Sequence, residues 1–314
     1  MIKRIQSPKE FGRVAVLMGG HSAEREISLI SGNAVLAGLQ RQGVDAYGVD
    51  VNTDISRTLS SGEFDYAFNV LHGRGGEDGV IQGYLDTINM PYTGSSVSAS
   101  VLSMNKRLSK LVWEQQGLPT ADYAVVNAET NANQLAADLG LPLIIKPVNE
   151  GSSIGMSKVN DEAALEAAIS LALKYDADVI AEKWIVGEEY TVAILDGEAL
   201  PAIRLTTPHE FYDYEAKYHS NSTEYKCPCG LKAEEEKKMQ TLALQAFNAL
   251  GMRAWGRIDF MRDENGDFYM LEANSVPGMT DHSLVPMAAK QAGLSFDDLV
   301  WRILETSIKE VVNG

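Results

Sequence analysis

Hydrophobic positions along the chain come in two periods. RVAVLM (13–18) is a short apolar strand, and DAYGVD (45–50) and YAFNVL (66–71) read as further strands. Between and after them apolar residues recur at helical spacing. This predicts a helix from about Ala23 to Gln42 and helical segments near 78–89 and 96–116. Strands alternating with helices predict a doubly wound parallel sheet. Such sheets bind ligands at the carboxyl ends of strands, where GGHSAERE and LHGRGGEDG fall.

Gly117-Leu118-Pro119 closes the long helix and opens a second unit. It holds DYAVV (122–126), LPLIIKPV (141–148), GMSKV (155–159), a helix near 161–174 and DVIAEKWI (178–185). A third section starts near Gly187 with strands EYTVAIL and ALPAIRL, then a long polar loop over 206–230. A helix over 232–250 follows, then a strand pair, HSLVPMAAKQAG and a terminal helix near 296–312. The expected boundaries are 1–104, 105–186 and 187–314. Loops beyond about 12–15 residues are usually functional or disordered. The tyrosines and phenylalanine of 206–230 favour a lid.

The strand pair is GRIDFMRDENGDFYMLEANSVPGMT, residues 256–280. Asn265-Gly266 signals a two-residue hairpin, because both central residues need positive φ. With these two as the loop, Asp259 lies opposite Glu272 and Arg257 opposite Asn274; a three- or five-residue loop would shift that register. Alternation then groups Arg257, Asp259, Glu272 and Asn274 on one face. Ile258, Phe260, Leu271 and Ala273 share the other, which reads as buried. Opposed side chains have Cβ atoms about 4.5–5.5 Å apart, where like charges destabilise. A cation must offset the two carboxylates. Arg257 is one candidate. A divalent metal is the better one, since two carboxylates and an amide oxygen are the hard ligands Mg²⁺ takes, with water and phosphates completing its shell. A solvated acidic face with one ion pair is the plain alternative.

At 314 residues the chain has room for two or three domains. Its 45% hydrophobic and 22% charged residues belong to an ordinary soluble globular protein. The net charge of −16 argues against non-specific nucleic-acid binding and against an acidic membrane surface. It leaves room for a locally basic site that takes an anionic substrate. Cys227 and Cys229, in a Cys-Pro-Cys run, are too few for a disulfide framework and read as free thiols on a loop. MIKRIQSPKEFGRVAVLMGG lacks a signal-peptide core, and no apolar run approaches the ~20 residues of a membrane span. A cytoplasmic location is expected.

Phosphate chemistry would also need donors. There is no G-x-x-x-x-G-K-[ST] run. GRGGEDG nearly matches G-x-G-x-x-G, but Asp78 stands at the third glycine. KPVNEGSSIGMSKV (146–159) is the better candidate. Gly151, Ser152, Ser153 and Gly155 lie between two short strands, where N–H groups and hydroxyls can approach phosphate oxygens. Lys146 and Lys183 end the neighbouring strands. A hairpin turn with a surface lysine fits the same residues.

A glycine–serine loop, two strand-end lysines, the EKWI stretch and an Asp…Glu-x-Asn hairpin together resemble the ATP-grasp superfamily. GGHSAEREISLISG, LHGRGGEDG, YTGSS, EGSSIGMSKV, FYDYEAKY, GRIDFM and LEANSVPGMTDHSLVPMAA are similar, more narrowly, to the D-alanine–D-alanine ligase family. The likeness runs from Val14 to Ile303. It implies three domains: a Rossmann-like parallel sheet, then two α+β subdomains that sandwich ATP.

By that resemblance, Asp259, Glu272 and Asn274 hold two Mg²⁺ (or Mn²⁺) ions. Lys106, Lys146 and Lys183 surround the nucleotide, Glu182, Trp184 and Ile185 form the adenine hinge, Glu189 takes the ribose, and Lys217 reaches the γ-phosphate. Glu24 receives the ammonium of the first D-alanine, with His72 beside it. Ser152 and Tyr218 are hydrogen-bonded with Glu24. Arg257 and the N–H of Gly278 form an oxyanion site, and Ser283 and Leu284 cradle the second carboxylate. The implied reaction is ATP-dependent synthesis of D-alanyl-D-alanine, a peptidoglycan precursor, by a homodimer. Each residue has a plainer reading too. Glu24 and Glu26 suit the first turn of a helix, His72 a structural strand end, Tyr218 lid packing and Ser283 a helix cap. Asn105 and Ser275 depart from the Asp and Thr of many relatives. The tyrosine of YEAKY favours an amine acceptor over D-lactate. A different acceptor such as D-serine, a non-catalytic nucleotide-binding relative, and more weakly a nicotinamide oxidoreductase are the competing readings.

Overall fold

The computed structural model describes residues 5–51, 55–208, 223–280 and 282–306. Lys217 and Tyr218 lie outside them. The first sheet is parallel, in the order β2-β1-β3: β1 (Arg13–Gly19), β2 (Asp45–Val51) and β3 (Tyr66–Asn69). Val14 to Met18 are all buried because helices cover both faces of β1, which explains an unbroken apolar run rather than an alternating one. The helix Arg25–Arg41 lies close on it. A Cβ at Gly32 would sit 2.5 Å from the Met18 Cβ, so only glycine permits that approach. The chain end returns here. Leu284–Gln291 and Phe296–Glu305 join the same core as β1, and Arg41 forks onto Asp297 at 2.9 and 2.6 Å.

The second sheet is antiparallel, ordered β4-β7-β5-β6, from β4 (Tyr123–Val126), β5 (Leu143–Pro147), β6 (Ser157–Val159) and β7 (Val179–Lys183). Alternation decides its chemistry. Leu143, Ile145, Val179 and Ala181 pack down on the helices Ala132–Leu139 and Leu165–Ala172. Ile144, Lys146 and Glu182 therefore turn to the opposite face, over a cavity. The helix Ala132–Leu139 escapes the sequence reading because its buried stripe is mostly alanine; Asn131 caps it by accepting the Gln134 N–H.

The third sheet runs β11-β10-β8-β12-β13, with β9 beside β8. Its strands are β8 (Gly187–Leu195), β9 (Glu198–Ala199), β10 (Ile203–Thr206), β11 (Glu224–Lys226), β12 (Trp255–Asp263) and β13 (Phe268–Asn274). Helix Ala233–Ala249 covers its apolar face. The expected loop over 206–230 thus contains a strand, β11, paired with β10. Cys229 is fully buried in this core rather than set on an open loop, and both thiols are free.

Two departures bear on the site. The helix expected over 96–116 is two, Val97–Met104 and Lys106–Gln115, broken at an extended Asn105. The Asn105 Oδ1 accepts the Leu108 N–H (2.9 Å) and its Nδ2 donates to Asn149 Oδ1 (2.9 Å). A carboxylate could do only the first, which accounts for asparagine here. The break places Lys106 on a helical first turn beside Glu150, whose carbonyl accepts from its ammonium at 2.6 Å.

The second departure is in the hairpin. Asp263 N–H donates to Asp267 O and Gly266 N–H to Asp263 O, so the loop has three residues, with Gly266 at φ 89°. Pairing near the turn is accordingly shifted: Arg262 faces Phe268 and Phe260 faces Met270. A bulge at Leu271 restores Asp259 opposite Glu272 and Arg257 opposite Asn274. The expected facing pairs hold, but through two offsetting irregularities. Leu271 is displaced from the expected buried face. Met270 takes the core, fully buried, while Leu271 and Glu272 both line the cleft. Met270→Ala should therefore cost about 2–5 kcal/mol of stability and Leu271→Ala about 1 kcal/mol or less. Chemical denaturation of the two variants checks this; equal losses would mean a regular ladder.

Candidate active site

Two cavities open between the sheets, and Lys106 and Glu272 line both. Their ion pair, 3.7 Å from Nζ to Oε2, stands where the cavities meet. The first cavity gathers Glu24, His72, Ser152, Arg257, Asn274, Gly278, Ser283 and Leu284, drawn from all three sheets' surroundings.

Glu24 sits at the N-cap position of Arg25–Arg41 but its side chain makes no cap bond. Its carboxylate instead accepts a short hydrogen bond from the Ser152 hydroxyl. Gly151 is needed beside it, since a Cβ there would lie 2.7 Å from Glu24 Oε2. Ser152 and Ser153 both hold positive φ, 53° and 61°. Such conformations cost energy in non-glycine residues and gather at ligand sites. Ser283 is the N-cap of Leu284–Gln291, and its hydroxyl accepts the Thr280 N–H at 2.8 Å.

A group of buried contacts fixes the strip that carries Gly278. Glu77 accepts the Gly73 N–H at 2.9 Å and the Val276 N–H at 3.2 Å. His72 Nδ1 lies 2.9 Å from Val276 O, so that nitrogen carries the proton. Ser31 Oγ accepts the Met279 N–H at 3.1 Å and lies 3.4 Å from His72 Nε2. Three side chains from the first hundred residues thereby clamp residues 276–279. Burial pushes the His72 imidazole pKa down, with Glu24 opposing, which keeps the ring neutral. Burial, and then the nearby Glu24 carboxylate, push Glu77 up to about 8.

The second cavity is more apolar. Ile144, Met156, Trp184, Ile185, Met261 and Leu271 line it, with Lys146, Glu182 and Glu189. Trp184 N–H donates to Pro142 O, and Lys158 stands 4.5 Å over the Trp184 ring. Lys183 is exposed and does not line this cavity; alternation along β7 turns it from the face that Glu182 presents.

On the hairpin, Arg257 grips Asp259 with two bonds of 2.7 and 2.8 Å, and Thr191 Oγ1 donates to Asp259 at 2.6 Å. Asn274 Nδ2 donates to Asp259 Oδ2 at 3.0 Å. Arg257 and Lys106 thus supply the positive charge that the facing acids require. Among the described residues no three His, Cys, Asp or Glu side chains cluster as a metal site. Glu272 and Asn274 stand at the cavity wall with Asp259 buried behind Arg257, and their oxygens are of the hard kind that suits Mg²⁺ or Mn²⁺.

Residues 112–305 match the family model described as D-ala D-ala ligase C-terminus, and residues 52–95 match D-ala D-ala ligase N-terminus. A D-alanine–D-alanine ligase of Nitrosococcus oceani is 57% identical, with 98% of each chain covered. This chain belongs to the D-alanine–D-alanine ligase family. The ligase of Stutzerimonas stutzeri is 56% identical at the same coverage. Among solved structures, D-alanine–D-alanine ligase from Bacillus anthracis complexed with ATP superposes with TM-score 0.83 at 32% identity, covering 94% of this chain and 97% of that one. A D-Ala:D-Ser ligase from Enterococcus faecalis superposes with TM-score 0.82 at 28% identity, covering 94% and 99%.

The family and ATP-grasp fold expected from the motifs hold. Of the residues that resemblance singled out, the fold gathers most into the two cavities. Asp259 stands behind Arg257 and Lys183 faces away. Glu77, Ser31 and Leu271 were not singled out for the site. Glu77 lies in the glycine-rich stretch GRGGEDG after a strand end, where an acid among glycines is a signal; Ser31, mid-helix, offers none. A carboxyl raised by the fold contributes stability that is present below the usual carboxylate range and lost as pH rises through the raised value. The ligase should therefore lose melting temperature relative to Glu77→Gln between about pH 5 and 8, with the gap levelling above. A gap that does not change over that range would remove the buried-acid assignment.

Proposed function

We propose that this chain is an ATP-dependent ligase that joins two D-alanines into D-alanyl-D-alanine through a D-alanyl phosphate. The observation that carries this reading is the shared wall: an apolar cavity suited to a nucleobase meets a polar cavity with a carboxylate and a guanidinium, at Lys106 and Glu272. Names of relatives at 53–57% identity support the D-alanine substrate. The ATP complex of a solved relative supports the nucleotide.

A carboxylate is a poor electrophile, so phosphorylation must precede attack by an amine. Glu24, tied to Ser152, binds the ammonium of the first D-alanine. Trp184, Ile185 and Glu182 hold the adenine, Glu189 the ribose, and Lys106 and Lys146 the phosphates. Phosphoryl transfer asks mainly for such positioning and charge neutralisation. Asp259, Glu272 and Asn274 would hold two Mg²⁺ or Mn²⁺ ions, which neutralise phosphate charge when bound. The second D-alanine's carboxylate rests by Ser283 and Leu284. Its amine attacks the acyl carbon, Arg257 with the Gly278 N–H stabilises the tetrahedral oxyanion, and collapse breaks the acyl C–O bond, releasing inorganic phosphate and the amine's proton. The family resemblance assigns Lys217 to the γ-phosphate and Tyr218 to Glu24; both lie outside the described residues. Residues 1–104, 105–186 and 187–314 are its three domains. The assembly is a cytoplasmic homodimer that supplies a cell-wall precursor. No helix among the described residues is long and apolar enough to cross a membrane.

Phosphate release from ATP and Mg²⁺, with and without D-alanine, followed by product mass, tests the reading. D-Alanine-dependent release with a D-alanyl-D-alanine product is expected. Release only with D-serine or D-lactate would transfer the activity to another acceptor, and none with any amino acid would leave a binding protein. Glu272→Gln should lower kcat on the order of 100-fold or more while leaving the melting temperature near wild type. Retained turnover would remove Glu272 from the metal site.

A further inference from the structure

Lys110 has no part in the chemistry described so far. It lies on the helix Lys106–Gln115, is fully buried, and lines neither cavity. Its ammonium donates to Thr120 Oγ1 at 2.6 Å and to Ala121 O at 3.1 Å, and it lies 3.3 Å from Glu182 Oε2. The other oxygen of Glu182, Oε1, lies 3.2 Å from the Lys146 ammonium. Lys110, Glu182 and Lys146 thus form a line of alternating charge across three elements. Only its far end reaches the apolar cavity, where Glu182 and Lys146 are both lining residues.

The net charge of that line is the point. A lone Glu182–Lys146 pair would be neutral, and a lysine so matched has little attraction left for phosphate. Burial works to lower the Lys110 ammonium pKa and Glu182 works to raise it; with the ammonium 3.3 Å from the opposite oxygen, the trio carries one net positive charge beside the cavity. Burial works to raise the Glu182 carboxyl, but Lys110 and then Lys146 outweigh it and hold it ionised. Lys110 is itself anchored: Thr120, its hydrogen-bond acceptor, donates to Met270 O at 3.0 Å, on the strand that bears Glu272. The charge line is therefore fixed relative to the hairpin.

We propose that Lys110 is a positioning residue for ATP, acting through Glu182 to keep Lys146 in place and electrically available to the nucleotide's phosphates. This rests on reading the apolar cavity as the nucleotide site. It distinguishes Lys110 from a merely structural lysine, whose loss would lower stability and leave substrate preferences alone.

The test is steady-state kinetics and direct ATP binding by calorimetry on wild type, Lys110→Met and the conservative variant Lys110→Arg. Lys110→Met leaves Glu182 to neutralise Lys146. KM for ATP and the ATP dissociation constant should rise about tenfold, with KM for D-alanine within about twofold of wild type. Lys110→Arg keeps a cation beside Glu182 and with it the net positive charge. It should retain most of the ATP affinity, and it leaves no unmatched buried carboxylate should Lys110→Met fold poorly. A folded Lys110→Arg that binds ATP as weakly as a tenfold loss, or a folded Lys110→Met with unchanged KM for ATP, would overturn the proposal. Equal rises in KM for both substrates would do the same. Failure of the wild type to bind ATP would instead overturn the nucleotide reading, and this inference with it.

Discussion

Two carboxylates facing each other across a hairpin cannot stand without positive charge, and much of this molecule is arranged around that constraint. Asp259 and Glu272 are opposed on β12 and β13. Arg257, two residues along the same strand, covers Asp259. Lys106 comes from a helix in a different part of the chain to approach Glu272. It can do so because Asn105 interrupts what would be one long helix and starts a second one pointing into the cleft. The interruption is stabilised on both sides of the asparagine amide, by a cap bond and by Asn149.

The amino-acid end depends on contacts between distant segments. Glu24 and Ser152 are 128 positions apart, and His72 and Val276 are 204 apart. Glu77, His72 and Ser31 hold the strip 276–279 from the first sheet's side. Their bonds go to backbone groups of Val276 and Met279, on either side of Gly278. The return of the C-terminal helices to the first sheet makes this possible, because it sets the strip against the loops after β1 and β3. The first cavity is thus a product of contacts between distant segments rather than of any one of them.

Much of the fold was legible from local pattern. The alternation in LPLIIKPV and DVIAEKWI delivers Lys146 and Glu182 to one face, as alternation must. The unbroken apolar run of RVAVLM signals a strand covered on both sides. Signals that depend on a few small residues were fainter: the alanine-rich helix Ala132–Leu139 has too little apolar mass to stand out. The hairpin is instructive in a different way. Asn265-Gly266 marks the turn correctly, yet a dipeptide does not report whether the loop holds two residues or three. Nor does it report that an extra residue at Leu271 will cancel the shift, since both cost little locally and are settled by which side chains the core accepts.

The sequence by itself determined the family, the order of most strands and helices, and which residue types could bind phosphate, metal and amino acid. These follow from local periodicity and from motifs whose spacing is short. Only the tertiary structure decided that Lys183 turns away from the cavity, that Leu271 leaves the core for the cleft, that Glu77 meets the Val276 N–H and that Lys110 stands buried against Glu182. The physical reason is that the charge state and reach of a buried side chain are set by partners far along the chain. Lys110 meets Glu182 across 72 positions (182 less 110), a separation over which no repeating pattern carries information.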